Sequence, residues 1–101
     1  MNDIDVIQNE DESRFEAFAA GQLLGYIDYT IDGNVMDMPH TLVFPEYEGQ
    51  GVGTALVRQS LDLVREIDSE LRVIPTCPFI DIWIKRHADY HDLRAENQNQ
   101  E

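Results

Sequence analysis

Basic residues are scarce in this chain. Seven lysines and arginines stand against twenty aspartates and glutamates, a formal net charge of −13 over 101 residues. Such a surface repels polyphosphate chains, which argues against nucleic acid as a partner bound by charge. Cysteine is nearly absent. The single Cys77 cannot close an intramolecular disulfide and fits a reducing, cytoplasmic compartment. No apolar run approaches membrane-spanning length, so no membrane partner is expected. The first dozen residues carry Asp3, Asp5, Glu10, Asp11 and Glu12; they lack the basic start and apolar centre of a secretory signal. Repeats, linkers and a second domain are missing too. A chain of this length folds as one domain that buries roughly two-thirds of the surface its unfolded form exposes. Residues 1–94 are expected to form that domain, as a monomer or weak homodimer, and residues 95–101 a frayed polar tail.

What is present is concentrated in Glu48-Gly49-Gln50-Gly51-Val52-Gly53-Thr54-Ala55. Three alternating glycines open directly into a helical pattern, and glycine is favoured where backbone turns tightly or lies against a ligand. The first amides of a helix lack intrahelical partners and carry the positive end of its dipole, so an unobstructed helix start is an anion site. A mononucleotide P-loop would follow with Gly-Lys-Ser/Thr, but Gly53 is followed by Thr54-Ala55. The dinucleotide pattern G-x-G-x-x-G needs its third glycine one place later than Gly53. A glycine turn that binds nothing stays open on these residues alone.

The N-terminal half alternates. Residues 4–8 suggest an edge strand, residues 13–19 a second, and residues 23–31 a third after a turn at Gly21-Gln22. Asp32-Gly33-Asn34 tolerates positive φ and signals a hairpin into residues 35–44, where Pro45 removes a ladder donor and ends pairing. From Gly51 the period changes. Val52, Leu56, Leu63 and Ile67, widened by Val57, Leu61 and Val64, mark an amphipathic helix whose outer face is Arg58, Gln59, Asp62, Arg65 and Glu66. Residues 71–76 read as a short buried strand, reached by a right-handed crossover and parallel to residues 35–44. Pro78 begins a second helix with Phe79, Ile80, Trp83, Ile84 and His87 inward and Asp81, Lys85 and Arg86 outward. The fold class is α/β (α+β): an antiparallel meander leading into one parallel βαβ crossover, with two main helices on a twisted mixed sheet.

Residues 48–55 resemble the acetyl-CoA loop of the GNAT N-acetyltransferases, with Gly51 and Gly53 in its two glycine positions and Glu48 departing from the usual Gln/Arg. Met38-Pro39-His40-Thr41-Leu42-Val43, Val73-Ile74-Pro75-Thr76-Cys77-Pro78-Phe79, Trp83-Ile84 and His87-Ala88-Asp89-Tyr90 are similar to the minimal, single-domain branch of that superfamily. The resemblance runs from about Phe15 to Leu93. It implies a GNAT-like fold stripped of the helices that usually enclose the acceptor, and an enzyme that moves an acetyl group from acetyl-CoA to a primary amine. Small amines, polyamines, and protein lysines or N-termini are the acceptor classes. Leu42 and Val43 would offer backbone to the pantetheine where two strands splay, and Gly49, Gln50, Gly51, Val52, Gly53 and Thr54 would hold the diphosphate. Lys85 and Arg86, with Arg58, would add positive charge nearby. The acidity would draw in a cationic acceptor, or it serves solubility or salt adaptation alone.

An alkyl ammonium of pKa ~10.4 is neutral about once in 2,500 molecules at pH 7, equivalent to ~4.6 kcal/mol, so a general base helps. His40 is the natural base near neutrality. Cys77 has two roles open to it: proton donor to the departing thiolate, or nucleophile that takes the acetyl group first. By resemblance, His40 and Cys77 flank the acetyl group. The reading requires that the loop amides are not capped by the protein itself and that these two side chains do not point to opposite sides of the molecule. His87 and His91 invite a metal reading with Cys77, but no further partner stands at diagnostic spacing, so no metal is expected. The alternatives to an enzyme are a non-catalytic acyl-CoA-binding module and a protein-interaction domain using the acidic face.

Overall fold

The alternating patterns become four consecutive antiparallel strands: β1 (Asp5–Asn9), β2 (Arg14–Ala19), β3 (Gln22–Asp32) and β4 (Val35–Val43). The computed structural model describes residues 3–95. A 3₁₀ turn (Pro45–Tyr47) and the glycine loop follow, then α1 (Val52–Ile67) carries the chain to β5 (Arg72–Ile74), which pairs parallel to β4. Helix α2 (Pro78–Lys85) and a 3₁₀ segment (Ala88–Leu93) close the order. Strands lie in chain order, β1-β2-β3-β4-β5. The expected meander with one parallel crossover is therefore the architecture observed.

One face of the sheet is apolar and covered. Val6, Phe15, Ala17, Ile27, Tyr29, Met36 and Met38 meet Leu56, Val57, Leu61 and Val64 of α1 and Ile80, Trp83 and Ile84 of α2 in a single core. The other face shows Ile7, Arg14, Glu16, Tyr26, Asp28, His40 and Leu42, related by cross-strand register and by period-two alternation. No helix of the described residues covers it.

The buried stripe of α1 is Val52, Leu56, Val57, Ser60, Leu61 and Val64. Leu63 is half-buried, and Ile67, expected on the stripe, is exposed. Five buried apolar side chains, at about 1.5–3 kcal/mol each, hold the helix in this rotation. Gln59, expected to face solvent, turns to the edge strand instead: its Oε1 accepts from Val6 N at 3.0 Å and its Nε2 donates to Ile4 O at 2.8 Å. These bonds cover backbone that an edge strand would otherwise offer to another chain.

Strand β5 is shorter than expected. Pairing with β4 runs only from Val35↔Arg72 to Asp37↔Ile74; Thr76, whose N–H is next in line for β4, bonds Ile74 O at 3.0 Å instead. One bond lies beyond it, from Cys77 N to Met38 O at 2.9 Å. Past Met38 the two strands part. At the far end, Ala95 corrects the expected tail: it is buried, its N–H donates to Val73 O at 2.8 Å, and Arg94 bridges Val73. An apolar residue two places after buried Leu93 extends the alternation past β5. The rest of the expected tail, residues 96–101, lies outside the described residues.

Candidate active site

The glycine loop adopts the backbone that its composition allows. Gly49 and Gly51 have φ of 81° and 82°, and a Cβ at either would meet nothing within 4 Å; the glycines serve conformation and leave open space above them. Gly51 is the N-cap of α1 and has no side-chain cap. The first bond of the helix runs from Ala55 N to Gly51 O at 3.0 Å, so the amides of Val52, Gly53 and Thr54 precede the helical ladder. The side chain of Val52 is buried and that of Gln50 reaches back to Glu46 O at 3.4 Å. From these residues it is the main chain that faces outward. The required uncapped donors are present.

Beside the loop lies a groove of about 390 Å³ lined by Thr41, Leu42, Val43, Glu48, Gly53 and Phe79. It follows the edge of β4 that β5 abandons. The ladder between β3 and β4 decides which groups point there. Phe44 N bonds Leu24 O at 3.0 Å, which makes Tyr26↔Leu42 and Asp28↔His40 the hydrogen-bonded pairs and leaves the N–H and C=O of Thr41 and Val43 directed to the open edge. Val43 turns its backbone to that edge. Leu42, expected there with it, does not: its backbone is used by β3, and Thr41 is the second residue with backbone at the open edge. Phe79, placed by its spacing in the helix packing, is 44% exposed over the groove, and its ring would lie 3.2 Å from a Cβ at Gly53. Nothing in its sequence position distinguishes a core aromatic from a groove-lining one.

His40 and Cys77 leave the sheet on opposite faces. Asp28 pairs with His40 and Thr30 with Asp37, so one residue of β3, Tyr29, faces two of β4: a bulge at Met38-Pro39. Unbroken alternation from buried Met36 and Met38 would send His40 into the core; the extra residue turns it to the helix-free face. Its side chain is 75% exposed there, with Nδ1 3.4 Å from Asp28 Oδ2. Cys77 is buried at the start of α2, with Sγ 3.5 Å from Thr41 Oγ1 on the helix-covered face. The two are not a contacting pair. The condition that they not point to opposite sides of the molecule is therefore not met.

The expected cations are elsewhere. Lys85 ends α2, at the opposite end from Phe79, and its Nζ is 3.1 Å from Asp81; Arg86 is the C-cap of the same helix. Lys85 stands six residues, about 9 Å of helix axis, beyond Phe79, the α2 residue beside Gly53, and with its charge paired to Asp81 this corrects their assignment to the diphosphate. Asp81 also holds Arg94 at 2.9 Å. Burial acts to raise its carboxyl, but Arg94 and Lys85 together keep it below the usual range. Arg58 lies over the Trp83 ring at 5.3 Å. His87 stacks on Trp83 at 3.8 Å with Nδ1 2.7 Å from Trp83 O, and His91 Nε2 is 3.2 Å from Lys85 O. Among the described residues no three His, Cys, Asp or Glu gather as a metal site.

A strand that ends in a glycine-rich helix start, beside a partner strand that departs from it, defines an open α/β sheet with its ligand crevice at the strand carboxyl ends. Residues 14–93 match the GCN5-related N-acetyl-transferase family, and the chain belongs to it. Comparison with curated proteins gives no match. Among solved structures, a GCN5-like protein from Staphylococcus aureus superposes with a TM-score of 0.67 at 26% identity, covering 99% of this chain and 96% of that one. Ard1 from Thermoplasma volcanium (TM-score 0.54, 23% identity) shares the fold over 76% of this chain and 55% of its own. So does the PaiA N-acetyltransferase of Thermoplasma acidophilum in complex with coenzyme A, with a TM-score of 0.51 at 18% identity over 75% and 48%.

Proposed function

We propose that this protein transfers an acetyl group from acetyl-CoA to a primary amine. Family membership supports an N-acetyltransferase, and the observation that carries the cofactor assignment is the continuous path from uncapped α1 amides along the open edge of β4 to Cys77. A neighbour of the same fold is a coenzyme A complex. The residues present fit such a group: Val52, Gly53 and Thr54 offer amides to the diphosphate. Thr41 and Val43 offer an unpaired strand edge to the pantetheine amides, and Phe79 offers an apolar wall. From Val43 to Met38 the edge extends about 17 Å. The loop gains no side-chain cation, so attraction there rests on backbone dipoles.

Bound along this edge, the donor would supply an activated thioester. His40 receives a proton from the incoming ammonium on the helix-free face, which leaves a neutral amine to form the C–N bond as the C–S bond breaks. Cys77, on the other face, protonates the departing sulfur. The nitrogen gives up two protons in all: one to His40, and one that restores the Cys77 thiol. Sγ has a hydroxyl as its neighbour and no base within hydrogen-bond reach among the described residues, which favours the proton donor over the nucleophile. Placement on opposite faces weighs against the two acting on one acetyl group, so the enzyme reading rests on the family match and the open edge of β4. The acceptor meets an open surface with exposed His40 and Leu42, compatible with a long or polymeric amine.

That openness also supports the second reading, a module that binds acyl-CoA without turnover. Calorimetry with acetyl-CoA, followed by a transfer assay on small amines, polyamines and lysine peptides, separates the two. Binding with turnover above the uncatalysed rate is expected. Binding without turnover selects the module, and no binding at hundreds of micromolar rejects both.

A further inference from the structure

The helix-free face holds a device that the transfer reading does not require. We propose that Asp28 is the positioning residue of His40: it holds the Nδ1–H of the ring and so presents Nε2, with its lone pair, to solvent and to an incoming amine. This rests on His40 being the proton acceptor of the proposed reaction.

Three observations carry it. The first is the bulge at Met38-Pro39, which sets His40 directly across from Asp28 in the β3–β4 register. A bulge of this kind re-aims one side chain at the expense of a regular ladder, and here it brings an imidazole out of the core face to a carboxylate. The second is the chemistry of the contact. Asp28 Oδ2 lies 3.4 Å from His40 Nδ1; an ionised carboxylate only accepts, so the bond exists only in the tautomer, or the cation, that carries a proton on Nδ1. An unrestrained neutral imidazole in water prefers its proton on Nε2, the wrong arrangement for taking a proton at the ring's outer edge.

The third is that Asp28 is kept for this partner. Arg14 is its neighbour across β2 and β3 and would be the natural ion pair. Instead Arg14 is drawn aside: its Nε donates to Glu16 Oε2 at 2.6 Å, and its guanidinium lies 4.2 Å over the Tyr26 ring. The other Asp28 oxygen, Oδ1, is buried with no hydrogen-bond partner among the described residues. His40 is thus the one side chain seen bonded to this carboxylate among them.

The test reads the tautomer directly. In ¹⁵N-labelled protein at a pH where His40 is neutral, long-range ¹H–¹⁵N spectra report which ring nitrogen is protonated, with His40 assigned from His40→Gln. The wild type is expected to show mainly Nδ1–H. Asp28→Ala should revert His40 to mainly Nε2–H, and so should Asp28→Asn, whose amide can donate to Nδ1, while Asp28→Glu, which keeps an acceptor-only carboxylate, retains much of the Nδ1–H form. His87, bonded through Nδ1 to Trp83 O, is the internal control, and its unchanged signals show that the fold survives. In transfer assays Asp28→Ala and Asp28→Asn should each lower kcat by at least about tenfold with KM for acetyl-CoA unchanged, and Asp28→Glu should recover most of it. An Nε2–H majority in the wild type, or a tautomer insensitive to Asp28→Ala, overturns the proposal. So does a changed tautomer with unchanged kcat. If no variant or wild type transfers acetyl groups, the enzyme reading fails and the catalytic role of Asp28 with it, whereas the tautomer spectra still decide whether Asp28 orients the ring.

Discussion

Gly53→Asp tests the anion site with the fold as its own control. The position is in the first turn of α1, one residue after Val52. A Cβ there would approach the Phe79 ring to 3.2 and 3.3 Å, so the ring must yield by a few tenths of an ångström; it is 44% exposed and can swing outward. A carboxylate in a first turn favours the helix by about 0.3–1 kcal/mol, and removing a helical glycine adds about 0.5–1 kcal/mol. Stability should therefore hold or rise slightly. Binding should not. Two like charges brought to about 4 Å at an effective dielectric of ~20 repel by ~4 kcal/mol, and screening near the surface at physiological salt reduces this to roughly 2–4 kcal/mol, or about 30- to 1,000-fold in Kd. Calorimetry with acetyl-CoA measures the loss, thermal unfolding the stability, and Gly53→Ala separates the steric part, expected to be small. A variant that unfolds no earlier than wild type yet binds acetyl-CoA equally well would show that the diphosphate does not lie on this helix start.

Four further outcomes are expected. Intact mass after mixing with acetyl-CoA should show no acetyl adduct on Cys77, as the proton-donor role requires; an adduct lost in Cys77→Ala would make the thiol a nucleophile. Leu61→Ala, at a fully buried site between α1 and the sheet, should destabilise by about 2–5 kcal/mol, read as a fall in Tm of at least 8 °C. Gln59→Ala removes both bonds to the edge strand and should raise hydrogen exchange at Val6 N selectively, with the centre of the sheet unchanged. Asp92 is held below its usual value chiefly by the hydrogen bond from Arg65. A lowered carboxylate contributes stability above its unfolded value, near 3.8, that is lost as pH falls through the folded one. The acid limb of a stability-versus-pH curve should therefore be shallower in Arg65→Ala, by a small amount because both side chains are substantially exposed.

Local pattern made much of this legible. Alternation placed the four meander strands, and the change of period after Gly51 placed α1. The glycines at 49 and 51, with φ above 80°, could be expected from their positions alone. The parallel direction of β5 followed from the length of the crossover. Features that belong to two segments at once were not legible. Gln59 has the look of a solvent-facing polar residue until β1 is beside it. Ala95 looks like tail until the carbonyl of Val73 is found waiting.

The same division runs through the site. Residue type and spacing by themselves determined a glycine-rich helix start without a side-chain cap, a lone thiol after a short strand and an imidazole on the strand before it, because glycine content, hydrophobic period and turn chemistry act within a few residues. Only the tertiary structure decided that the imidazole and the thiol leave on opposite faces and that Thr41 and Val43, rather than Leu42, turn their backbone to the open edge. Those outcomes depend on one extra residue of β4 opposite β3 and on where β5 stops pairing. A register between strands is set by the packing of both, and no window along a single strand contains it.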